Sequence, residues 1–234
     1  MTQAIIVAAG RGSRLYPLTD YVPKVMIPVG KKERPMGHLI IDHCIEHGIK
    51  DFLFCLNTES GKQVRNYFGD GSRFGVNVDY SLSDEPQGTS GELKLAWERG
   101  KVQVPSLIYY GDTLCQTDLT ATMSEESDIT VVVNDLVTMP YGYIEDDSNV
   151  ATRIVEKPTL QMMIPDKSVG AIMSIYYVQN KMVYEYFCNK GKDVSGDVLP
   201  MMVAGRYNVK VFHDNLPFVD VGNWKNYAEA MQWA

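Results

Sequence analysis

Ala4-Ile5-Ile6-Val7-Ala8-Ala9-Gly10-Arg11-Gly12-Ser13-Arg14-Leu15 is the stretch from which the fold can be read. It begins as a short apolar run, Ala4–Ala8, the pattern of a strand buried on both faces. It then breaks into glycines on either side of Arg11, so the chain leaves the strand through a turn whose backbone N–H groups can face an anion. Arg14 and, further on, Lys24 add positive charge beside that turn. The pattern is not a dinucleotide fingerprint, because Leu15 stands at the third glycine position and Pro17 and Pro23 impose an extended loop. Nor is it a Walker phosphate loop, since no Gly-Lys-Ser/Thr closes it. Taken alone, a glycine turn after a strand is equally an ordinary β-turn.

Outward from that strand, short apolar runs alternate with periodic ones. Strands are predicted at Phe52–Leu56, Val76–Ser81, Leu107–Tyr110, Ile129–Val133, Ala171–Val178 and Val209–Phe212. Helices are predicted at Met36–His47, Leu93–Arg99, Lys181–Asn189, Asp197–Ala204 and Trp224–Trp233. Thr89 with Glu92 reads as a capping box before the second of these, and Asn223 as the cap of the last. The alternation implies an α/β fold in three layers, α/β/α, with a doubly wound, mostly parallel sheet. Tyr143–Glu145 and Val150–Val155 read as a small inserted β region beside that sheet. Ligands on such sheets sit beyond the carboxyl ends of the strands.

The 234 residues carry 22 Lys+Arg against 29 Asp+Glu, a net charge of -7 that disfavours a nucleic-acid binder but not a local basic pocket. Cys44, Cys55, Cys115 and Cys188 are widely spaced, which argues for free thiols in a reducing compartment rather than a disulfide scaffold. No apolar run approaches the ~18 residues of a membrane span, and no leader precedes the first strand, so a cytoplasmic protein without membrane contact is expected.

Two further strand ends bear carboxylates. Leu107-Ile108-Tyr109-Tyr110 runs into Gly111-Asp112, and Phe218-Val219-Asp220-Val221-Gly222 repeats the logic. Each Asp alone is most simply a turn residue. As a pair beside a phosphate-type loop, Asp112 and Asp220 can hold one Mg2+, which prefers few protein oxygens plus substrate phosphates. Glu156-Lys157-Pro158 adds a charged strand end. His43-Cys44-Ile45-Glu46-His47 matches an inverted zinc-protease motif, but no later acidic segment offers a third ligand, and an amphipathic helix accounts for it. Tyr176-Tyr177 and Tyr184–Phe187 read as core.

In order along the chain, these motifs resemble the sugar-1-phosphate nucleotidyltransferase family. The resemblance rests on Ala8-Ala9-Gly10-Arg11-Gly12-Ser13-Arg14-Leu15-Tyr16-Pro17-Leu18-Thr19, Pro23-Lys24, Pro86-Gln87-Gly88-Thr89 and Gly111-Asp112. It continues through Tyr141-Gly142-Tyr143, Glu156-Lys157-Pro158, Asp220-Val221-Gly222 and Tyr227. It implies a Rossmann-like fold of the nucleotide-diphospho-sugar transferase type and transfer of a nucleoside monophosphate to a sugar-1-phosphate. Ala8, Ala9, Gly10, Gly12 and Ser13 would embrace the nucleoside triphosphate, with Gln87, Gly88 and Thr89 on its base side. Arg14 and Lys24 would be the catalytic cations, Asp112 and Asp220 the Mg2+ ligands, and Gly142, Glu156 and Lys157 the sugar-phosphate pocket. A single catalytic domain over residues 1–234, without the β-helix of larger relatives, is expected, and a homo-oligomer is compatible with the pattern.

The chain departs from that family in three places. Ser13 replaces a threonine; Met173-Ser174-Ile175-Tyr176 stands where relatives carry a small polar residue and glycine before Ile-Tyr; Val194 stands where several hexose-specific relatives carry a glutamate. The base and acceptor stay open, with a non-sugar phosphate such as phosphocholine, or a non-catalytic nucleotide-sugar-binding relative, as alternatives.

Overall fold

The computed structural model describes residues 1–136, 142–156, 168–189 and 191–233. The opening stretch forms β1 (Gln3–Val7), whose side chains alternate between two cores: Ala4 and Ile6 join one, Ile5 and Val7 the other. The same division runs through β2 (Asp51–Asn57), where Phe52, Phe54 and Leu56 face the first core and Leu53 and Cys55 the second. The chain continues through β3 (Asn77–Ser83), β4 (Ser106–Tyr110), β5 (Ile129–Asn134), β6 (Tyr143–Asp147), β7 (Val150–Val155), β8 (Ser168–Val178) and β9 (Val209–His213). Helices α1 (Met36–Glu46), α2 (Thr58–Phe68), α3 (Gly88–Glu98), α4 (Met182–Asn189), α5 (Leu199–Ala204) and α6 (Trp224–Ala230) connect them. Helices lie on both faces, so the three-layer architecture is as expected.

The sheet is ordered β3-β2-β1-β4-β8-β5-β9-β7-β6. It is mixed rather than parallel throughout. From β3 to β4 every pairing is parallel, but β8 enters antiparallel to both β4 and β5, and β6 pairs antiparallel with β7 and with the start of β8. Among the described residues, only β5 and β9 pair parallel in that second half. A register shift between Ile172 and Tyr176 bends β8, and Ser174 takes φ 60 there, which costs a residue bearing a Cβ about 1 kcal/mol.

Local expectations are met unevenly. Asn223 caps α6 by accepting the Asn226 N–H at 3.0 Å. The capping box at Thr89 is corrected: α3 starts at Gly88, and Glu92 instead accepts the Gln87 N–H at 3.0 Å and the Ser83 hydroxyl at 2.8 Å. Thr89 is left to bond elsewhere. Helix α2 buries only Gly61, Val64 and Phe68, an apolar stripe too thin to read as periodicity. The His-x-x-Glu-His motif lies at the end of α1, with His47 as its C-cap; His43 Nε2 pairs with the Thr117 carbonyl at 2.9 Å and His47 Nδ1 with Thr120 Oγ1 at 3.0 Å. These histidines fasten the 117–120 segment to the helix. Tyr176, Tyr184 and Phe187 are core residues, with Tyr184 stacked on Trp97 at 5.2 Å. No helix among the described residues is long and apolar enough to cross a membrane.

Candidate active site

The turn after β1 is held from beneath. The Ala8 N–H donates to the Cys55 carbonyl at 2.9 Å and Asn57 Nδ2 to the Ala9 carbonyl at 2.9 Å. Gly12 has φ 65 and accepts the Thr19 hydroxyl at 3.0 Å; a Cβ there would lie 2.9 Å from Thr19 Cγ2. Gly10 differs, since a Cβ there would meet nothing within 4 Å. That open side faces a cleft of about 180 Å³ bounded by Ala8, Ala9, Gly10 and Gly12 on one wall. Lys24, Gly111 and Asp112 border it along the sheet edge, and Pro86, Gly88 and Thr89 form the opposite lip. Arg11 and Glu85 reach across the mouth and pair at 3.7 Å, both largely exposed. Such a pair contributes little to stability.

Charged residues from distant parts of the sequence meet at the cleft's edge. Thr113–Cys115 and Phe218–Asp220 pair as a two-stranded antiparallel ribbon, and the Val221 N–H donates to the Asp112 carbonyl at 2.8 Å. This ribbon carries Asp220 to Asp112. Lys24 Nζ donates to Asp112 Oδ2 at 2.5 Å. Arg14 closes the group, because a Cβ at Gly222 would lie 2.9 Å from its Nη2 and 3.0 Å from Asp220 Oδ1. Asp220 Oδ1 is buried and has no hydrogen-bond partner. Burial, and next the Asp112 carboxylate, push the Asp220 pKa up to about 6, while Lys24 and Arg14 pull it down. Two adjacent carboxylates, one with an orphaned buried oxygen, are a donor set that suits a hard divalent cation completing its shell from substrate and water. Mg2+ fits these residues. No cluster of three or more His, Cys, Asp or Glu suited to a metal occurs among the described residues.

A second cluster lies beyond Thr89. Gly142 packs against Glu156 so closely that a Cβ would sit 2.6 Å from the carboxylate. Ser195 Oγ lies 3.1 Å from Glu156 Oε2 and 2.8 Å from Asp193 Oδ1, and Thr89 Oγ1 donates to Asp193 Oδ2 at 3.2 Å. Val194, the departure noted in the sequence, is fully buried and packs in the core instead of facing a ligand. Lys157 and Tyr141 lie outside the described residues. Two expected nucleotide contacts do not line the cleft: the Gln87 amide turns back to the Glu85 carbonyl at 2.9 Å, and Ser13 begins an exposed 3-10 turn. Conversely, Tyr110 and Glu92 border the cleft, although the sequence presents one as the end of a buried strand and the other as half of a capping box. Both alternate with core residues on their elements and so read as structural.

A glycine turn at the carboxyl edge of β1, beside cations and paired carboxylates, is set in an α/β fold. Residues 3–234 match the nucleotidyl transferase family, and the chain belongs to that family. It is 25% identical to the UTP–glucose-1-phosphate uridylyltransferase of Synechocystis sp. over 98% of this chain and 62% of that protein. It is 28% identical to the mannose-1-phosphate guanyltransferase of Pichia angusta over 98% of this chain and 63% of that protein. The chain thus spans less than two thirds of these relatives' length. Its fold matches that of HddC from Yersinia pseudotuberculosis with a TM-score of 0.79 at 23% identity, covering 99% of each chain.

Proposed function

We propose that this chain transfers a nucleoside monophosphate from a nucleoside triphosphate to a sugar-1-phosphate, releasing pyrophosphate. The observation that carries the proposal is the convergence of Arg14, Lys24, Asp112 and Asp220, from four separate segments, at the edge of one glycine-lined cleft.

The nucleophile is a phosphate oxygen, already anionic at neutral pH. It attacks the α-phosphorus in line; the bond to the bridging oxygen breaks, and pyrophosphate leaves with the electron pair. No general base is required, and the barrier lies in bringing two polyanions together. Lys24, at the border of the cleft, stands where it can lower that repulsion for both substrates. Arg14, on the loop side, is suited to hold the departing pyrophosphate. Asp112 and Asp220 would hold Mg2+, which when bound neutralises phosphate charge. Gly10 lets the nucleotide's phosphates approach the backbone, and Gly88 and Thr89 border the base. Gly142 and Glu156, with Lys157, serve the acceptor.

A pyrophosphate-release matrix tests this. ATP, GTP, CTP, UTP and dTTP are each combined with a panel of sugar-1-phosphates and with phosphocholine, in the presence of Mg2+. Release with at least one sugar-1-phosphate is expected; silence in every cell overturns the proposal, and release with phosphocholine alone replaces the acceptor.

A further inference from the structure

Asp193 occupies the seam between the two clusters. Its Oδ1 accepts the Gly196 N–H at 2.8 Å and the Ser195 hydroxyl at 2.8 Å, and its Oδ2 accepts the Thr89 hydroxyl at 3.2 Å. Thr89 Oγ1 in turn accepts the Val194 N–H at 3.0 Å. One carboxylate therefore joins a cleft residue on α3 to the Ser195–Glu156 side. Ser195 has a single proton, yet two carboxylates lie within its reach. Whenever that proton serves Glu156 or a ligand, Asp193 loses a donor.

Two more donors wait behind it. The hydroxyls of Tyr110 and Tyr176 are enclosed by protein, and neither has a hydrogen-bond partner. Both rings are buried, and burial first and foremost raises both phenol pKa values, so the groups stay protonated. Tyr176 also acts on Tyr110, and the Asp193 carboxylate acts on both phenols. Thr89 stands next to one phenol and Ser195 next to the other, without hydrogen-bond geometry. Two tyrosines with ring centroids 5.8 Å apart and orphaned hydroxyls, next to the two hydroxyl side chains that bond Asp193, are a costly arrangement if the site only ever adopts this one pattern of bonds.

We infer that Asp193 is a positioning residue shared by both halves of the site, with the Tyr110 and Tyr176 hydroxyls as reserve donors to its carboxylate when Thr89 or Ser195 turns toward a substrate. The exchange conserves hydrogen bonds: the donor that leaves Asp193 bonds a substrate oxygen, and a phenol proton takes its place. It also makes the two subsites communicate, since Thr89 borders the nucleotide cleft and Ser195 the Glu156 side. This rests on the transferase function proposed above.

Tyr110→Phe, Tyr176→Phe, Asp193→Asn, Thr89→Val and Thr89→Ser are compared for melting temperature, kcat and both KM values. The two Phe variants should melt at or above the wild-type temperature, because each deletes an orphaned buried hydroxyl, yet raise the acceptor or nucleotide KM about tenfold. Asp193→Asn keeps an N-cap oxygen but not a second acceptor for Thr89, and should raise both KM values with little change in melting. Thr89→Ser should recover most of what Thr89→Val loses. An active wild type with unchanged KM values in the Phe variants and Asp193→Asn overturns the inference and leaves the transferase intact, reducing Asp193 to a cap. If the wild type releases no pyrophosphate, the transferase proposal fails first. Calorimetric binding of GTP, UTP, mannose-1-phosphate and glucose-1-phosphate to wild type and Tyr176→Phe then decides, with equal affinities or no binding counting against the inference.

Discussion

The two halves of the sheet are built on different principles, and the candidate site straddles them. From β3 to β4 the strands run parallel, β1, β2 and β4 carry apolar runs while the edge strand β3 alternates polar and apolar residues, and the turn after β1 is anchored by hydrogen bonds from its neighbours. On the other side, β8 runs antiparallel, bends at Ser174 and feeds a π-helical turn at Val194–Val198 whose N-cap is Asp193. The first half is a frame of parallel strands whose loop glycine Gly12 is dictated by backbone geometry, whereas Gly10 borders open space. The second is irregular, and it holds Ser174, at φ 60, and the fully buried Val194. The difference teaches where sequence is free to vary: a turn that needs a left-handed glycine tolerates little, whereas a wall of side chains can be rewritten one residue at a time.

The largest effect should come from the charged centre of the first half. Lys24→Ala or Asp112→Ala should lower kcat for pyrophosphate release by about 10²- to 10³-fold, as expected when a charge stabiliser is lost. Near-normal turnover of Asp112→Ala with Mg2+ would remove the carboxylate pair from the chemistry. Next comes the junction of the halves. Gly88 has φ 76, and a Cβ there would run into the Lys192 carbonyl, so Gly88→Ala should destabilise by about 2 kcal/mol. Gly10→Ala offers the contrast, with an unchanged denaturant midpoint and a nucleotide KM raised about tenfold, because its space belongs to the ligand rather than to the fold.

Acid should act on the first half through His43. Burial, chiefly, lowers its pKa below 6.5, so the unfolded chain binds that proton more tightly than the folded one. The resulting stabilisation is complete above pH 6.5 and is lost as pH falls through the lowered folded pKa, at up to about 1.4 kcal/mol per pH unit. Melting measured across this range should show a shallower slope in His43→Gln; an identical slope would locate the acid sensitivity elsewhere. The smallest effect belongs to the second half. Ser174→Gly should relieve the φ 60 conformation and stabilise by about 0.5 kcal/mol, readable as a small rise in denaturant midpoint.

How much of this was legible follows the same division. The strands of the parallel half are long enough and apolar enough to be read within a residue or two, as at Ser106–Tyr110 against the expected Leu107–Tyr110. The mixed half was legible as elements but not as pairings, because an apolar run such as Ala171–Val178 carries no mark of its direction. Thr89 shows the limit of local pattern: Thr89-Ser90-Gly91-Glu92 satisfies a capping box, yet a competing bond to Asp193, 104 positions away, engages the threonine. Tyr110, read as the last residue of a buried strand, gave no sign of its orphaned hydroxyl.

The order of strands and turns, the glycine loop, and the identities of Arg14, Lys24, Asp112 and Asp220 were determined by the sequence alone, through short-range rules of burial, turn geometry and charge. Tertiary structure alone decided that Lys24 meets Asp112, that a two-stranded ribbon brings Asp220 beside them, and that Asp193 ties Thr89 to Ser195. The physical reason is range. Periodicity and capping act over a few residues, whereas these contacts join segments 88, 107 and 104 positions apart, and only packing of the two cores on either side of the sheet brings such segments together.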